Sequence, residues 1–167
     1  SPPRSAIAAA TGSSGTRVYL LDRPGAPQTS ILAGQLMPSS LAPDRIELNT
    51  ANDVLGGTFT SRINMNLRED KHWSYGARSS LTETRGQRPW LLSAPVQTDK
   101  TVESIQEIRR ELADLLATRT ITAEEFAKVR NRDVRALSGQ YETNAAVSSA
   151  IGDIVRFGRP DDYVRTL

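Results

Sequence analysis

A chain of 167 residues suits one domain, burying roughly 70% of the surface its unfolded form exposes. Its 21 basic and 19 acidic residues leave a formal net charge of +2, too balanced and too scattered to imply nucleic acid or an anionic membrane as partner. The absence of cysteine excludes disulfides, thiolate nucleophiles and thiolate metal sites, and no apolar stretch approaches the ~20 residues of a membrane-spanning helix.

Hydrophobic residues at 38% and charged residues at 24% fit a globular domain, and the 5% aromatic content leaves the core to Leu, Ile, Val and Ala. The first fifteen residues, SPPRSAIAAATGSSG, are rich in Pro, Gly and Ser and read as a linker or chain edge, without the pattern of a signal peptide. The domain is expected over residues 16–167, as a piece of a longer polypeptide. Arg17–Arg23 (RVYLLDR) predicts a strand, PGAP interrupts it, and Gln28–Met37 (QTSILAGQLM) predicts a second. Pro43 and Asp44 open a helical stretch with Ile46, Leu48, Ala51, Val54 and Leu55 as inner positions, ended by Gly56-Gly57. A further helix is predicted from about Thr60 to Arg68, with Ile63 and Leu67 on one face.

From Trp73 to Thr84 the pattern becomes that of a strand, RGQR (Arg85–Arg88) forms a turn, and Pro89–Thr98 returns as the antiparallel partner. Val102, Ile105, Ile108, Leu112, Leu115 and Leu116 then make one apolar stripe, so a helix over Val102–Ala117 is expected to cover one face of that sheet. Thr122-Ala-Glu-Glu125 is a capping box opening a helix that runs to about Gly139. Asn144–Phe157 predicts another, and Pro160 is placed to begin one more. This order is not the strand–helix alternation of a doubly wound sheet. It fits an α+β fold, an antiparallel sheet with helices packed on one face.

The stretch LREDKHWSYG, residues 67–76, holds the single histidine. A hydrolytic zinc site commonly needs three protein ligands, and this chain has one histidine and no cysteine. His-x-x-Glu-His and His-Glu-x-x-His are both absent, as is a Gly-x-Ser-x-Gly elbow, although serines are plentiful enough for a Ser-His-Asp set. His72 therefore reads as a partly exposed residue in a helix-to-strand turn, and the metal expectation for this domain is none. Gly56-Gly57 lacks both the Gly-x-Gly-x-x-Gly spacing and the P-loop lysine, and reads as a tight junction where glycine permits unusual backbone angles. The Arg and Lys residues of EIRRELADLLATR and KVRNRDVR sit beside Glu and Asp on polar helix faces, as solvated ion pairs do.

Asn52–Ser80, NDVLGGTFTSRINMNLREDKHWSYGARSS, resembles the pitrilysin (insulinase) family of zinc peptidases, the inverzincins, in its C-terminal, metal-free homologous domain. The Leu-Gly-Gly-x-Phe-x-Ser-Arg junction, the Leu-Arg-Glu helix and the Tyr-Gly strand carry the resemblance. RVYLLDRPGAPQTSILAGQL upstream and APVQTDKTVESIQEIRRELADL downstream extend it from about Thr16 to Leu167. The resemblance implies a catalytically silent, substrate-binding half of a zinc metallopeptidase. Its partner would be a homologous domain bearing His-x-x-Glu-His, on the same chain or a separate subunit, and zinc would be held there and not here.

Family members contribute an arginine and a tyrosine from this half, in Leu-Arg-x(6)-Tyr, which maps onto Arg68 and Tyr75. By residue type alone Arg68 is a solvent-exposed helix residue beside Glu69 and Asp70, and Tyr75 a strand aromatic packed on the sheet. Their joint spacing in the family signature implies instead a pair that holds a substrate carbonyl and stabilises the negative charge developing on it. Arg62 reads as structural, anchoring the junction by hydrogen bonds. The other role the resemblance allows is a structural or assembly subunit without proteolysis, against which retention of both Arg68 and Tyr75 speaks. The family's usual strand and helix ahead of Thr16, and helix and strand after Leu167, are missing from this sequence. Its setting is expected to be bacterial, with the periplasm as a family-level expectation only.

Overall fold

Apolar residues at every second position of QTSILAGQLM and RPWLLSAPVQ make two long strands that each turn one face inward. A computed structural model describes residues 7–12, 15–139 and 141–163 of the chain. The chain divides into two compact units, Ser1–Thr122 and Ala123–Leu167. The first holds β1 (Gln28–Met37), α1 (Arg45–Asn52), α2 (Arg62–Asn64), β2 (Arg78–Leu81), β3 (Arg88–Gln97) and α3 (Thr101–Leu116). Both short helices widen into π-helical turns, α1 through Asp53–Gly57 and α2 through Met65–Asp70. The second unit holds α4 (Ala123–Gly139) and α5 (Asn144–Phe157).

The sheet is antiparallel throughout, with β3 between β1 and β2. Gln28 lies opposite Gln97 and Met37 opposite Arg88, while Arg78 lies opposite Ser93 and Leu81 opposite Trp90. The inner face of β3 brings Leu92, Ala94 and Val96 against Leu55, Ile63 and Leu67 of the helical turns, Ala77, and Ile108 of α3. Ile63, Leu67, Ala94 and Val96 are each 0% exposed. The architecture is therefore the expected α+β one, a hairpin-containing antiparallel sheet with α3 and the helical turns on its inner face.

Several elements differ from expectation for identifiable reasons. Arg17–Arg23 joins no ladder among the described residues, and Val18, Tyr19, Leu20 and Leu21 are exposed, because β propensity makes a strand only where a neighbour pairs with it. The strand expected over Trp73–Thr84 contracts to Arg78–Leu81 plus an isolated bridge between Ser74 and Val96. Pro95, opposite that lost length, has no N–H to donate, and its carbonyl accepts instead from the Ser74 hydroxyl at 2.6 Å.

Arg88, expected in the turn, starts β3 fully buried, donating from Nε to the Pro38 carbonyl at 3.1 Å and from Nη1 to Asn49 Oδ1 at 3.0 Å. Ile46 of α1 is exposed and not inner. Gly56-Gly57 does end the helical stretch, but neither glycine has a positive φ. Close approach is the reason: a Cβ on Gly56 would lie 3.0 Å from the Ser79 backbone nitrogen.

The stripe expected on α3 is also rotated. Ile108 is buried and Leu112 and Leu115 are partly buried, but Val102, Ile105 and Leu116 are exposed while Ser104 and Glu111 face inward. Glu111 turns in because its carboxylate is satisfied there, accepting from Asn66 Nδ2 at 2.8 Å and from the Arg119 guanidinium at 2.6 Å. In the second unit α4 begins directly after Thr122, where the capping box places it. α5 spans the expected residues, with the Thr143 hydroxyl accepting from Ala146 N at 3.1 Å and Gly158 closing it at φ 64°. Past Pro160, Tyr163 N donates to the Pro160 carbonyl, and the rest of the expected helix lies outside the described residues. No helix among the described residues is long and apolar enough to cross a membrane.

Candidate functional site

The stretch between Arg68 and Tyr75 begins in the π-helical turn after α2. Its wide winding leaves the last helical carbonyls without the usual partners, and the turn residues take them up. Lys71 N donates to the Asn66 carbonyl at 3.0 Å, and Trp73 N and Ser74 N both donate to the Leu67 carbonyl, at 2.9 and 3.2 Å. His72 Nδ1 lies 3.0 Å from the Arg68 carbonyl. The far side of the turn is tied to the end of β3, where Gln97 N donates to the Trp73 carbonyl at 2.8 Å and Gln97 Nε2 to the His72 carbonyl at 3.1 Å. The Ser74 hydroxyl also accepts from Gly76 N at 3.0 Å, so the path from Arg68 to Tyr75 is braced nearly residue by residue.

An open depression of about 420 Å3 lies over this turn. Arg68, Glu69, His72 and the run Trp73–Tyr75 line it, together with the cross-strand pair Gln28 and Gln97. Arg68 is partly exposed, with its Nε 3.3 Å from Glu69 Oε1 and its guanidinium carbon 4.5 Å from the centre of the Phe59 ring. Tyr75 is 87% exposed, which places its ring in solvent and not on the sheet. The chemistry on offer is a fixed cation, a phenol hydroxyl and two side-chain amides, a set suited to gripping a carbonyl-rich polar chain. Among the described residues no three His, Cys, Asp or Glu side chains cluster to hold a metal.

His72 sits in the expected helix-to-strand turn, exposed there and not only partly so, at φ 56° in the left-handed region. That conformation is the one a glycine adopts without strain, and the histidine instead gives its ring nitrogen to the Arg68 carbonyl. Arg62 is buried and donates to the carbonyls of Arg119 and, at 3.0 Å, Thr120, which makes it a structural anchor. Phe59, Gln28 and Gln97 escape sequence reasoning because each reaches the site from a different segment, whereas Glu69 was legible as Arg68's neighbour on the same turn. Of those three only Phe59 left a signal, as the aromatic of the Leu-Gly-Gly-x-Phe-x-Ser-Arg junction.

The family model for the peptidase M16 inactive domain matches residues 3–132, well over half of the chain. This chain belongs to that family. Among solved structures, the peptidase M16 inactive domain from Pseudomonas fluorescens superposes with a TM-score of 0.75 at 22% identity, over 83% of this chain and 33% of that one. A protease from Helicobacter pylori gives 0.72 at 18% identity, over 81% and 33%. A proposed zinc protease from Bordetella pertussis gives 0.67 at 20% identity, over 81% and 74%. Comparison with curated protein sequences gives no match. This chain thus spans about a third of the length of the first two structures, and at these identities the likeness is one of fold. Membership agrees with the zinc-free half of the pitrilysin family that the Asn52–Ser80 signature implies.

Proposed function

We propose that this M16 inactive domain is the substrate-contacting half of a zinc metallopeptidase, with Arg68 and Tyr75 as the residues that meet the peptide. The observation that carries this is their placement on one open depression, joined by a hydrogen-bonded turn, in a chain of this family. The hydrolytic chemistry belongs to the homologous half bearing His-x-x-Glu-His. This chain's part is to hold the scissile carbonyl and to stabilise the charge that grows on its oxygen. Arg68 offers fixed N–H donors with a full charge, and Tyr75 a hydroxyl donor. Gln28 and Gln97 offer amide donors and acceptors to the flanking peptide backbone, which makes the grip one of main chain rather than of particular side chains.

The test is to place a photo-crosslinking phenylalanine analogue at position 75 of the full-length protein and irradiate it with an internally quenched fluorescent peptide. Capture of the peptide, competed by unlabelled peptide, supports the role. Absence of capture while the assembled protein still cleaves the peptide overturns it. Isothermal titration of this chain with zinc should give no stoichiometric site tighter than about micromolar, against the range expected of built zinc sites. If the rest of the polypeptide and its neighbouring reading frame lack His-x-x-Glu-His, an assembly role replaces the peptidase one.

A further inference from the structure

The Phe59 ring is 62% exposed, on the junction between Gly56-Gly57 and α2, so it adds little to the core. Its described ring contact is the Arg68 guanidinium, whose carbon lies over it at 4.5 Å from the centroid. The backbone beneath this ring is pinned. The buried Asn64 amide donates from Nδ2 to the Phe59 carbonyl at 2.6 Å. Through Oδ1 the same amide accepts from Ala77 N at 2.9 Å, two residues past Tyr75. One buried side chain therefore ties the platform under Arg68 to the backbone beside Tyr75.

We propose that Phe59 is a positioning residue, a ring platform that holds the Arg68 guanidinium at the depression in the orientation that meets a peptide carbonyl; this rests on Arg68 being a substrate contact. A side chain as long as arginine, 38% exposed, otherwise spreads over many rotamers, and fixing it in advance removes that cost from the step in which it meets the developing charge. The ring does this without consuming donors, because a guanidinium lying over an aromatic face keeps its in-plane N–H groups for an acceptor. Glu69 meets only the Nε edge. The terminal nitrogens are left to the substrate oxygen.

The experiment is a double-variant cycle in the full-length peptidase assembled with its zinc-bearing half, reading kcat and KM on an internally quenched fluorescent peptide. Phe59→Leu, which keeps bulk but removes the π face, should lower kcat/KM about threefold to thirtyfold, mainly through kcat. Phe59→Tyr, which keeps the face, should restore wild-type values. On an Arg68→Ala background Phe59→Leu should add nothing, and no variant should move Tm. If Phe59→Leu is silent, if Phe59→Tyr fails to rescue, or if the loss persists on that background while Arg68→Ala is impaired, Phe59 does not act through Arg68 and the proposal is overturned, with Arg68 keeping its role. If Arg68→Ala is itself silent, Arg68 is no substrate contact and the positioning role falls with it.

Discussion

Arg68 and Tyr75 share one depression, but the fold holds them in opposite ways. Arg68 rests over Phe59, with Glu69 at its Nε edge and its own carbonyl taken by His72. Tyr75 has a braced backbone under a free side chain: its ring is 87% exposed and no described residue hydrogen-bonds its hydroxyl. The contrast matches what each group would have to do in the proposed role. A charged, many-rotamer side chain is useful only where its direction is set beforehand, whereas a tyrosine has two torsions and an apolar body that orients once a surface covers it.

Four predictions can break or sharpen that contrast. The largest effect is expected from Arg68→Ala in the assembled peptidase, a loss of transition-state stabilisation of at least about 2.7–4 kcal/mol read from kcat/KM. Tyr75→Phe removes one hydroxyl donor and should cost about 2.7–4 kcal/mol at most, with thermal melting shifted by no more than about 0.5 kcal/mol for either variant. A larger loss for Tyr75→Phe than for Arg68→Ala would place the main oxyanion donor on the unbraced side and undo the comparison.

Asn64→Ala reaches both ends of the stretch, because it orphans the Phe59 carbonyl and the buried Ala77 N–H together. A destabilisation of about 1–3 kcal/mol in urea melts is expected. Retained stability would mean that the amide bridge does not organise the region. The smallest effect belongs to His72→Gly. Glycine relieves the left-handed strain at φ 56° while losing the ring's bond to the Arg68 carbonyl, so stability should change by less than about 1 kcal/mol and turnover hardly at all. Abolished turnover in His72→Gly would move the chemistry onto the histidine.

Much of the fold was legible because its signals are local. Alternation along QTSILAGQLM and the span of α5 from Asn144 to Phe157 depend on neighbours in sequence, and both stand as expected. The α3 stripe misled because a buried carboxylate outweighed three leucine- and valine-type positions. Glu111 is inward only because Asn66 and Arg119, distant in sequence or beyond the helix end, satisfy it. Arg17–Arg23 misled for the converse reason, since its strand-like composition says nothing about a pairing partner.

By itself the sequence determined the class of fold, the family signature over Asn52–Ser80, the absence of His-x-x-Glu-His and the spacing of seven between the candidate residues Arg68 and Tyr75. Those properties are written in residue types and intervals along one chain. Tertiary structure alone decided that Phe59 lies under Arg68, that Gln28 and Gln97 join the depression across two strands, and that Asn64 clamps both flanks. Each is a contact between segments brought together by burial of Ile63, Leu67, Ala94 and Val96, and hydrophobic packing fixes such neighbours by the three-dimensional fit of the elements, a quantity no linear spacing encodes.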